Sequence, residues 1–164
     1  MRKKVSIIGA GNVGASLAQL IVQSGLADVV LQDIVEGVPQ GKALDLAQAC
    51  PLWGSSVAVE GTNDFSPTAN SDIIVITAGF PRKPGMLREQ LLAANAEVVS
   101  GVTKKTADLS PNAIIIVVTN PMDAMTYLSY KVSGFPSSRV VGMGGVLDSA
   151  RFRTFVAWEF NVSP

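Results

Sequence analysis

Short apolar runs alternate with amphipathic stretches along the whole chain. The runs are continuous and contain few polar residues, which is typical of strands that helices cover on both faces. They predict six strands, at residues 5–8, 29–31, 57–59, 73–77, 114–118 and 140–141. The stretches between them predict helices around 15–24, 41–49, 88–106 and 123–132, and a further helix opening near 146–151. The pattern indicates an α/β protein with a parallel sheet.

This order of elements predicts a doubly wound parallel sheet of the Rossmann type. We expect about six strands in the order 3-2-1-4-5-6, with helices on both faces and ligands bound beyond the carboxyl ends of the strands. Polar residues stand at three of those ends: Asp33 after the second strand, Thr77 after the fourth, and Thr119 with Asn120 after the fifth. The length of 164 residues is that of one domain, which we expect to span 1–164.

A glycine motif, Gly9-Ala10-Gly11-Asn12-Val13-Gly14, lies between the first strand and the first helix. In a dinucleotide-binding turn the first glycine permits the sharp turn, the second lets the backbone approach a pyrophosphate, and the third lets the helix pack closely on the strand. The helix then directs its free N–H groups and positive dipole end at the phosphates. Glycines at this spacing also arise by chance, so the flanking strand and helix carry the interpretation.

Asp33 identifies the expected ligand more closely. It follows the second strand about twenty residues beyond the glycines, where a carboxylate can accept hydrogen bonds from both hydroxyls of an adenosine ribose. Ile34, Val35 and Glu36 come next, with no Arg or Lys to meet a 2′-phosphate. The sequence therefore favours NAD over NADP, although without the glycines a solvated carboxylate would be the better interpretation.

The amino-acid composition argues against several classes of function. The 13 basic and 13 acidic residues balance, so we expect no binding to nucleic acid or to an acidic membrane surface. No apolar run reaches membrane-spanning length. The one cysteine excludes an internal disulfide and fits a cytoplasmic location, and with no histidine we expect no metal site. A hydrophobic fraction of 48% predicts that another domain or another copy of the chain covers part of the surface.

The segment 79–88 is rich in Gly and Pro and carries Arg82 and Arg88. It joins the fourth strand to the long helix, which would place both guanidinium groups over the cofactor crevice. Arginine binds carboxylates well because its planar fork donates two parallel hydrogen bonds. The alternative is an ordinary solvated basic loop.

Asp148 and Arg151 follow the last strand and stand three residues apart, on one face of the expected helix. One interpretation is a surface ion pair of small energetic value. The other gives Arg151 a substrate carboxylate and Asp148 a partner base to orient.

Taken together, these segments resemble the malate dehydrogenases of the lactate-dehydrogenase-like group, and the resemblance covers the entire chain. It rests on the glycine motif and on three further segments: Thr77-Ala78-Gly79-Phe80-Pro81-Arg82-Lys83-Pro84-Gly85-Met86, Val118-Thr119-Asn120-Pro121-Met122-Asp123 and Leu147-Asp148-Ser149-Ala150-Arg151.

The resemblance implies a reversible hydride transfer between malate and NAD that gives oxaloacetate. It implies that Arg82 pairs with the distal carboxylate, where lactate dehydrogenases typically carry Gln, and that Arg88 polarises the reacting carbonyl. Arg151 would hold the proximal carboxylate, and Asn120 would contact the substrate and the nicotinamide ribose. The implied cofactor-binding residues are Gly9, Gly11, Asn12, Val13, Gly14, Asp33, Thr77, Ala78, Gly79, Asn95, Val118, Thr119 and Asn120.

The resemblance also implies a catalytic histidine oriented by Asp148, and this chain has no histidine. In the family that histidine lies shortly beyond the position of Pro164, in a second half that walls the substrate pocket. We therefore expect the chain to be the cofactor-binding half of a longer, homo-oligomeric enzyme, a dimer or tetramer, and to be nearly inactive alone. The alternative is a stand-alone NAD-binding or NAD-sensing module without catalysis.

Tyr127 and Lys131 match a motif of another enzyme class, the Tyr-x-x-x-Lys pair of short-chain dehydrogenases. The glycine motif differs from the one those enzymes carry, and no serine stands about a dozen residues upstream of the tyrosine. We therefore expect Tyr127 and Tyr130 to pack on a helix.

Overall fold

A parallel sheet of six strands organises the chain. The computed structural model describes residues 2–82 and 84–164, so Met1 and Lys83 lie outside the described residues. The strands are β1 (Lys4–Ile8), β2 (Asp28–Gln32), β3 (Val59–Thr62), β4 (Ile73–Ile76), β5 (Ile114–Val117) and β6 (Val140–Gly142). Their order is β3-β2-β1-β4-β5-β6 and every neighbouring pair is parallel, which confirms the predicted doubly wound sheet.

Long helices connect the strands and cover both faces. They are α1 (Asn12–Gln23), α2 (Val38–Trp53), α3 (Arg88–Leu109), α4 (Met122–Ser133) and α5 (Gly145–Phe160), with short 3-10 turns at Ser66–Thr68 and Ser137–Arg139. The prediction placed α2 too narrowly, because Pro39 is compatible with a first helical turn and the helix continues to a left-handed Gly54. The two 3-10 turns were not predicted.

The third strand ends three residues later in the chain than its apolar pattern predicts. We expected 57–59, and the strand spans Val59–Thr62. It is an edge strand, of which only Thr62 is buried, so it does not need a continuous apolar run. Glu60 and Gly61 interrupt the pattern, and Val57 and Ala58 belong to the connection from α2.

The central strands divide their side chains between two apolar layers. On β1, Ile7 enters the layer under α1 and α2, whereas Ile8 enters the layer under α3 and α4. On β4, Val75 and Ile76 divide in the same way. Because successive strand residues point to opposite faces, a fully apolar run serves both layers at once.

Helix α5 leaves this arrangement. Of its residues only Ala157 is buried. Large apolar side chains on and just after it are exposed: Val146, Leu147, Phe152, Phe155, Val156, Trp158, Phe160 and Val162. Despite this surface, none of the helices in 2–82 and 84–164 is long and apolar enough to cross a membrane.

At the amino edge of the sheet, Asp72 joins the starts of β1 and β4. Its carboxylate accepts hydrogen bonds from Lys3 Nζ at 2.7 Å and from the Lys4 backbone N–H at 2.9 Å. The hydrogen bond from the Lys3 side chain is the largest influence that lowers the pKa of Asp72, followed by the bond from the Lys4 backbone. The ionised carboxylate therefore contributes to stability.

Asp72→Asn is expected to lower the free energy of unfolding at pH 7 and to have less effect in acid. A carboxyl whose folded pKa is depressed stabilises the protein above its unfolded pKa, about 3.9, and loses that contribution as pH falls through the folded pKa. Urea unfolding of both proteins between pH 7 and pH 3 measures the difference. Asp108→Asn, on the exposed surface of α3, is the control. A deficit independent of pH would contradict the assignment.

Gly14→Ala is expected to destabilise the fold, because a Cβ at position 14 would lie 1.9 Å from the Gly9 carbonyl oxygen. Overpacking at such a contact costs roughly 1–3 kcal/mol or more. The matched control is Gly101→Ala in α3, where a Cβ meets nothing within 4 Å and helix propensity favours alanine by about 0.5–1 kcal/mol. Urea unfolding should move the two variants in opposite directions, and equal shifts would refute the packing argument.

Candidate functional site

The glycine turn places the N-terminus of α1 at the carboxyl edge of the sheet. Gly9 has φ +109° and its N–H continues the β1–β2 ladder to Gln32 O at 2.8 Å. The Gly9 carbonyl then packs against Gly14, as the close-packing role of the third glycine requires. At Gly11, by contrast, a Cβ would meet no protein atom within 4 Å, so the backbone is open on the side where a ligand would approach.

Helix α1 begins at Asn12 and carries neither a side-chain cap nor an acidic residue in its first turn. The N–H groups of Asn12, Val13 and Gly14 have no partner within the helix, since first-turn amides lack a preceding carbonyl. They therefore remain free to donate to an anion, and the positive end of the helix dipole favours one there. This is where the glycine motif predicted a pyrophosphate.

Asp33 sits at the end of β2 beside the glycine turn. Its Oδ2 accepts from the Ala10 N–H at 2.6 Å, and its Oδ1 accepts from the Val35 N–H at 3.0 Å. An ionised carboxylate offers about four acceptor positions. The two that remain suffice for the two hydroxyls of a ribose, so the structural bonds and the predicted ligand bonds can coexist.

Two further residues hold this corner, and the sequence analysis missed both. Lys42 of α2 donates from Nζ to the Ala10 carbonyl at 2.5 Å, and Asn63 donates from Nδ2 to the Asp33 and Val35 carbonyls at 2.8 and 3.1 Å. Asn63 follows β3 directly, so the rule that polar residues at strand ends form the site would have found it had β3 been placed correctly. Lys42 reaches a backbone carbonyl from mid-helix, which no spacing signals.

The ends of β4 and β5 are tied to each other and to the glycine turn. Thr77 donates from Oγ1 to the Gly9 carbonyl at 3.0 Å, and Thr119 donates from Oγ1 to the Ala78 carbonyl at 2.7 Å. Both hydroxyl groups are thus used to hold backbone. Val118 packs partly against the core on the α1 and α2 side, so any cofactor contact by Val118 or Thr119 would come from the limited surface that they expose.

Asn95 of α3 is almost completely buried, with 1% of its surface exposed. Its Oδ1 accepts from the Phe80 N–H at 2.7 Å, and its Nδ2 donates to the Phe80 carbonyl at 3.2 Å and to the Asn120 carbonyl at 2.6 Å. These bonds occupy both amide hydrogens of the side chain. The predicted cofactor role of Asn95 therefore has only the second acceptor position of Oδ1 to draw on.

Arg82 and Arg88 flank the segment that follows Phe80, and both are exposed. Arg82 donates from Nε to the Met86 carbonyl at 3.2 Å, which folds the segment back on itself, and Arg88 is the first residue of α3. Within 2–82 and 84–164, neither guanidinium forms an ion pair with an acidic side chain. Both charges are thus available to an anionic ligand.

Asp148 and Arg151 form an ion pair on α5, with Arg151 Nη1 and Asp148 Oδ1 3.3 Å apart. The side chains are 77% and 62% exposed, so the pair itself contributes little to stability. The structure thus shows the surface ion pair that the sequence allowed as one interpretation.

Tyr127 and Lys131, which match the Tyr-x-x-x-Lys pair, both lie on α4 together with Tyr130. The Lys131 Nζ stands 5.3 and 5.2 Å from the ring centroids of Tyr127 and Tyr130, a cation–π arrangement. Tyr130 packs partly against the core, whereas Tyr127 is exposed, so the expected packing holds for Tyr130 alone.

The structure therefore brings together the glycine turn, Asp33 and the ends of β4 and β5 at one edge of the sheet. Arg82 and Arg88 extend from this edge, and Asn120 stands exposed after β5. Arg151 and Asp148 stand on a separate helix. In the parts of the chain that the structure describes, no group of three or more acidic or cysteine side chains could hold a metal ion.

Comparison with known proteins identifies relatives of this chain. It is 61% identical over 163 residues to the malate dehydrogenase of Roseiflexus sp. (strain RS-1), a match that covers 99% of this chain and 53% of that protein. It matches the crystal structure of Cryptosporidium parvum malate dehydrogenase with a TM-score of 0.96 and 50% identity, over 100% of this chain and 52% of the other.

A structure of lactate dehydrogenase from Cryptosporidium parvum, complexed with lactic acid and β-nicotinamide adenine dinucleotide, also matches. The TM-score is 0.94 at 45% identity, over 99% of this chain and 51% of that one. The chain thus spans about half the length of the relatives it matches.

A family described as lactate/malate dehydrogenase, NAD binding domain, matches residues 3–142, which is most of the chain. The match agrees with the sheet order, the glycine turn and the strand-end carboxylate described above, and it confirms the predicted NAD-binding domain. The chain therefore belongs to the NAD-binding domain family of the lactate and malate dehydrogenases.

Proposed function

We propose that this chain is the cofactor-binding half of an NAD-dependent malate dehydrogenase, which interconverts malate and oxaloacetate. The observation that carries the proposal is the presence of Arg82 and Arg88, exposed and without acidic partners among the described residues, on the segment that leaves the cofactor edge of the sheet. A dicarboxylate with a reactive carbonyl needs several cationic donors, and this segment supplies two.

The residues present fit NAD. The open backbone at Gly11 and the uncapped N-terminus of α1 suit the pyrophosphate, and the two unused acceptor positions of Asp33 suit the adenosine ribose. The segments after β4 and β5 would face the rest of the NAD molecule. Their residues are Thr77, Ala78, Gly79, Val118, Thr119 and Asn120. When bound, the nicotinamide supplies or accepts the hydride.

The roles proposed for the polar side chains follow their charges. Arg82 binds the carboxylate distal to the carbonyl, and Arg151 binds the proximal one, each through a bidentate pair of hydrogen bonds. Arg88 donates to the carbonyl oxygen and so stabilises the negative charge that develops there. Asn120 donates to the substrate from its amide. To bind substrate, the Arg151 side chain would leave its exposed ion pair with Asp148.

A proton donor is still needed, and this chain has no histidine to supply one near neutral pH. We propose that a second half of the protein carries that group and that Asp148 orients it. Two observations support a second half: the relatives are about twice as long as this chain, and α5 exposes a row of aromatic side chains including Phe152, Phe155 and Trp158.

The proposed full-length enzyme is a homo-oligomer, a dimer or tetramer, in the cytoplasm. Exposed Leu20, Leu44 and Leu52 on α1 and α2 support further apolar contacts between copies, and the single buried cysteine suits a reducing compartment. The second candidate function is an NAD-binding or NAD-sensing module without catalysis, which the lack of a histidine favours.

Asp33→Ala is expected to weaken NADH binding by roughly 10- to 100-fold, because a carboxylate that accepts from a ribose contributes charge-assisted hydrogen bonds. Fluorescence titration of the 164-residue chain with NADH measures the dissociation constant. Asp108→Ala, which removes an exposed carboxylate from α3, is the matched control and should bind as the original chain does. Unchanged affinity in Asp33→Ala would count against the ribose assignment.

Arg82→Gln is expected to reduce the preference of the full-length enzyme for oxaloacetate over pyruvate by at least about 30-fold, since removing one partner of a buried charge pair costs about 2–5 kcal/mol. The ratio of kcat/KM for the two acids, measured by NADH consumption, reports the change. Arg153→Gln, which removes an exposed arginine of α5, should leave the ratio unaltered. An unaltered ratio in Arg82→Gln would remove Arg82 from the substrate site.

The same assay separates the two candidate functions. The 164-residue chain alone should bind NADH weakly and reduce oxaloacetate negligibly, whereas the full-length protein should turn over at ordinary dehydrogenase rates. A full-length protein that binds NADH and reduces no 2-oxo acid would favour the sensing module.

A further inference from the structure

The buried amide of Asn95 joins two loops that the sheet alone does not join. Phe80 follows β4 and Asn120 follows β5, and both contribute backbone atoms to this amide: the N–H and carbonyl of Phe80 and the carbonyl of Asn120. None of these partners belongs to α3, the helix that carries Asn95. The side chain therefore acts as a cross-link between the two loops.

The surroundings of the amide are tightly packed. At Gly79, which has φ +155°, a Cβ would lie 2.6 Å from Thr119 Cγ2 and 3.0 Å from Asn95 Oδ1. The Thr119 hydroxyl donates to the Ala78 carbonyl across the same gap. The two loops thus pack directly against each other, and Asn95 adds hydrogen bonds to both of them from α3.

Each loop leads directly to a residue with a proposed substrate role. Arg82 stands two positions beyond Phe80, and Asn120 has an exposed residue surface while its carbonyl is held by Asn95. Fixing both backbones to one buried amide therefore constrains the positions from which the two side chains with proposed substrate roles extend. Preorganised placement of this kind is what positions a substrate for reaction.

We propose that Asn95 is a positioning residue of the substrate site, which sets the Phe80 and Asn120 backbones relative to each other. The hydrogen bonds of the Asn95 side-chain amide support this assignment. Both hydrogens and one acceptor position of Asn95 are occupied by protein, and 1% of the residue is exposed. The part that concerns substrate rests on the proposed function, whereas the cross-link between the loops does not.

The cross-link can be tested in the 164-residue chain without any assay of activity. In Asn95→Ala the Phe80 amide loses its acceptor, and its hydrogen exchange, measured by NMR, should accelerate by about tenfold or more beyond any change in global stability. The matched control is Thr103→Ala, also on α3, which removes a buried hydrogen bond of 3.1 Å to Ser129 of α4. It should lower stability without selectively exposing Phe80.

A second variant keeps the test decisive if Asn95→Ala folds poorly. Asn95→Asp retains an acceptor for the Phe80 N–H but loses the donor to the Phe80 and Asn120 carbonyls. The Phe80 amide should then remain protected, so the acceleration should be confined to Asn95→Ala. Exchange at Phe80 in Asn95→Ala that matches the original chain, or that merely follows global unfolding as in Thr103→Ala, would overturn the cross-link.

The role toward substrate is tested in the full-length enzyme. Asn95→Ala should raise the KM for oxaloacetate by about tenfold, as expected from a misplaced hydrogen-bonding partner, and should change the NADH dissociation constant less. Weakened NADH binding with an unaltered KM would make Asn95 a cofactor ligand and refute the proposal. If the unmodified full-length protein reduces no oxaloacetate, the proposed function fails, and the exchange experiment still decides whether Asn95 links the loops.

Discussion

The close contact between the start of α1 and the end of β1 sets the geometry of the ligand-binding edge. The Gly9 carbonyl occupies the space where a larger residue at position 14 would carry its Cβ, and the Thr77 hydroxyl donates to the same carbonyl from the end of β4. Because α1 and the end of β4 both contact the Gly9 carbonyl oxygen, the free N–H groups of α1 lie beside the neighbouring strand ends. Every other proposed binding residue of the domain is positioned relative to that edge.

The sequence predicted those parts of the structure that burial on both faces determines. The continuous apolar runs of β1, β2, β4 and β5 allowed these strands to be placed within a residue or two, whereas the edge strand β3 was misplaced because one open side relaxes the requirement for apolar residues. In the site, strand-end polar residues were predictable from the fold. The bonds that Lys42, Asn63 and Asn95 make to backbone carbonyls were not, since a carbonyl has no signature in sequence.

The backbone of this domain does not distinguish between substrates. Solved structures of a malate dehydrogenase and of a lactate dehydrogenase match it with TM-scores of 0.96 and 0.94. Within this domain, a difference in substrate between such relatives therefore has to come from individual side chains, since both backbones match this one closely. Arg82 is the side chain that we propose for this role, because its guanidinium is exposed and positively charged.

The two hydrogen bonds that Asp33 accepts from backbone link cofactor choice to the integrity of the turn. Replacing this carboxylate with an apolar or cationic side chain, the obvious route to a protein that prefers NADP, would leave the Ala10 and Val35 N–H groups without their present acceptor. Ala10 is buried, and an unsatisfied buried amide costs about 1–3 kcal/mol, whereas the N–H of the exposed Val35 can donate to water. A successful change of cofactor in this domain therefore needs a second substitution that supplies a new acceptor, so the preference for NAD is protected by the stability of the loop as well as by charge.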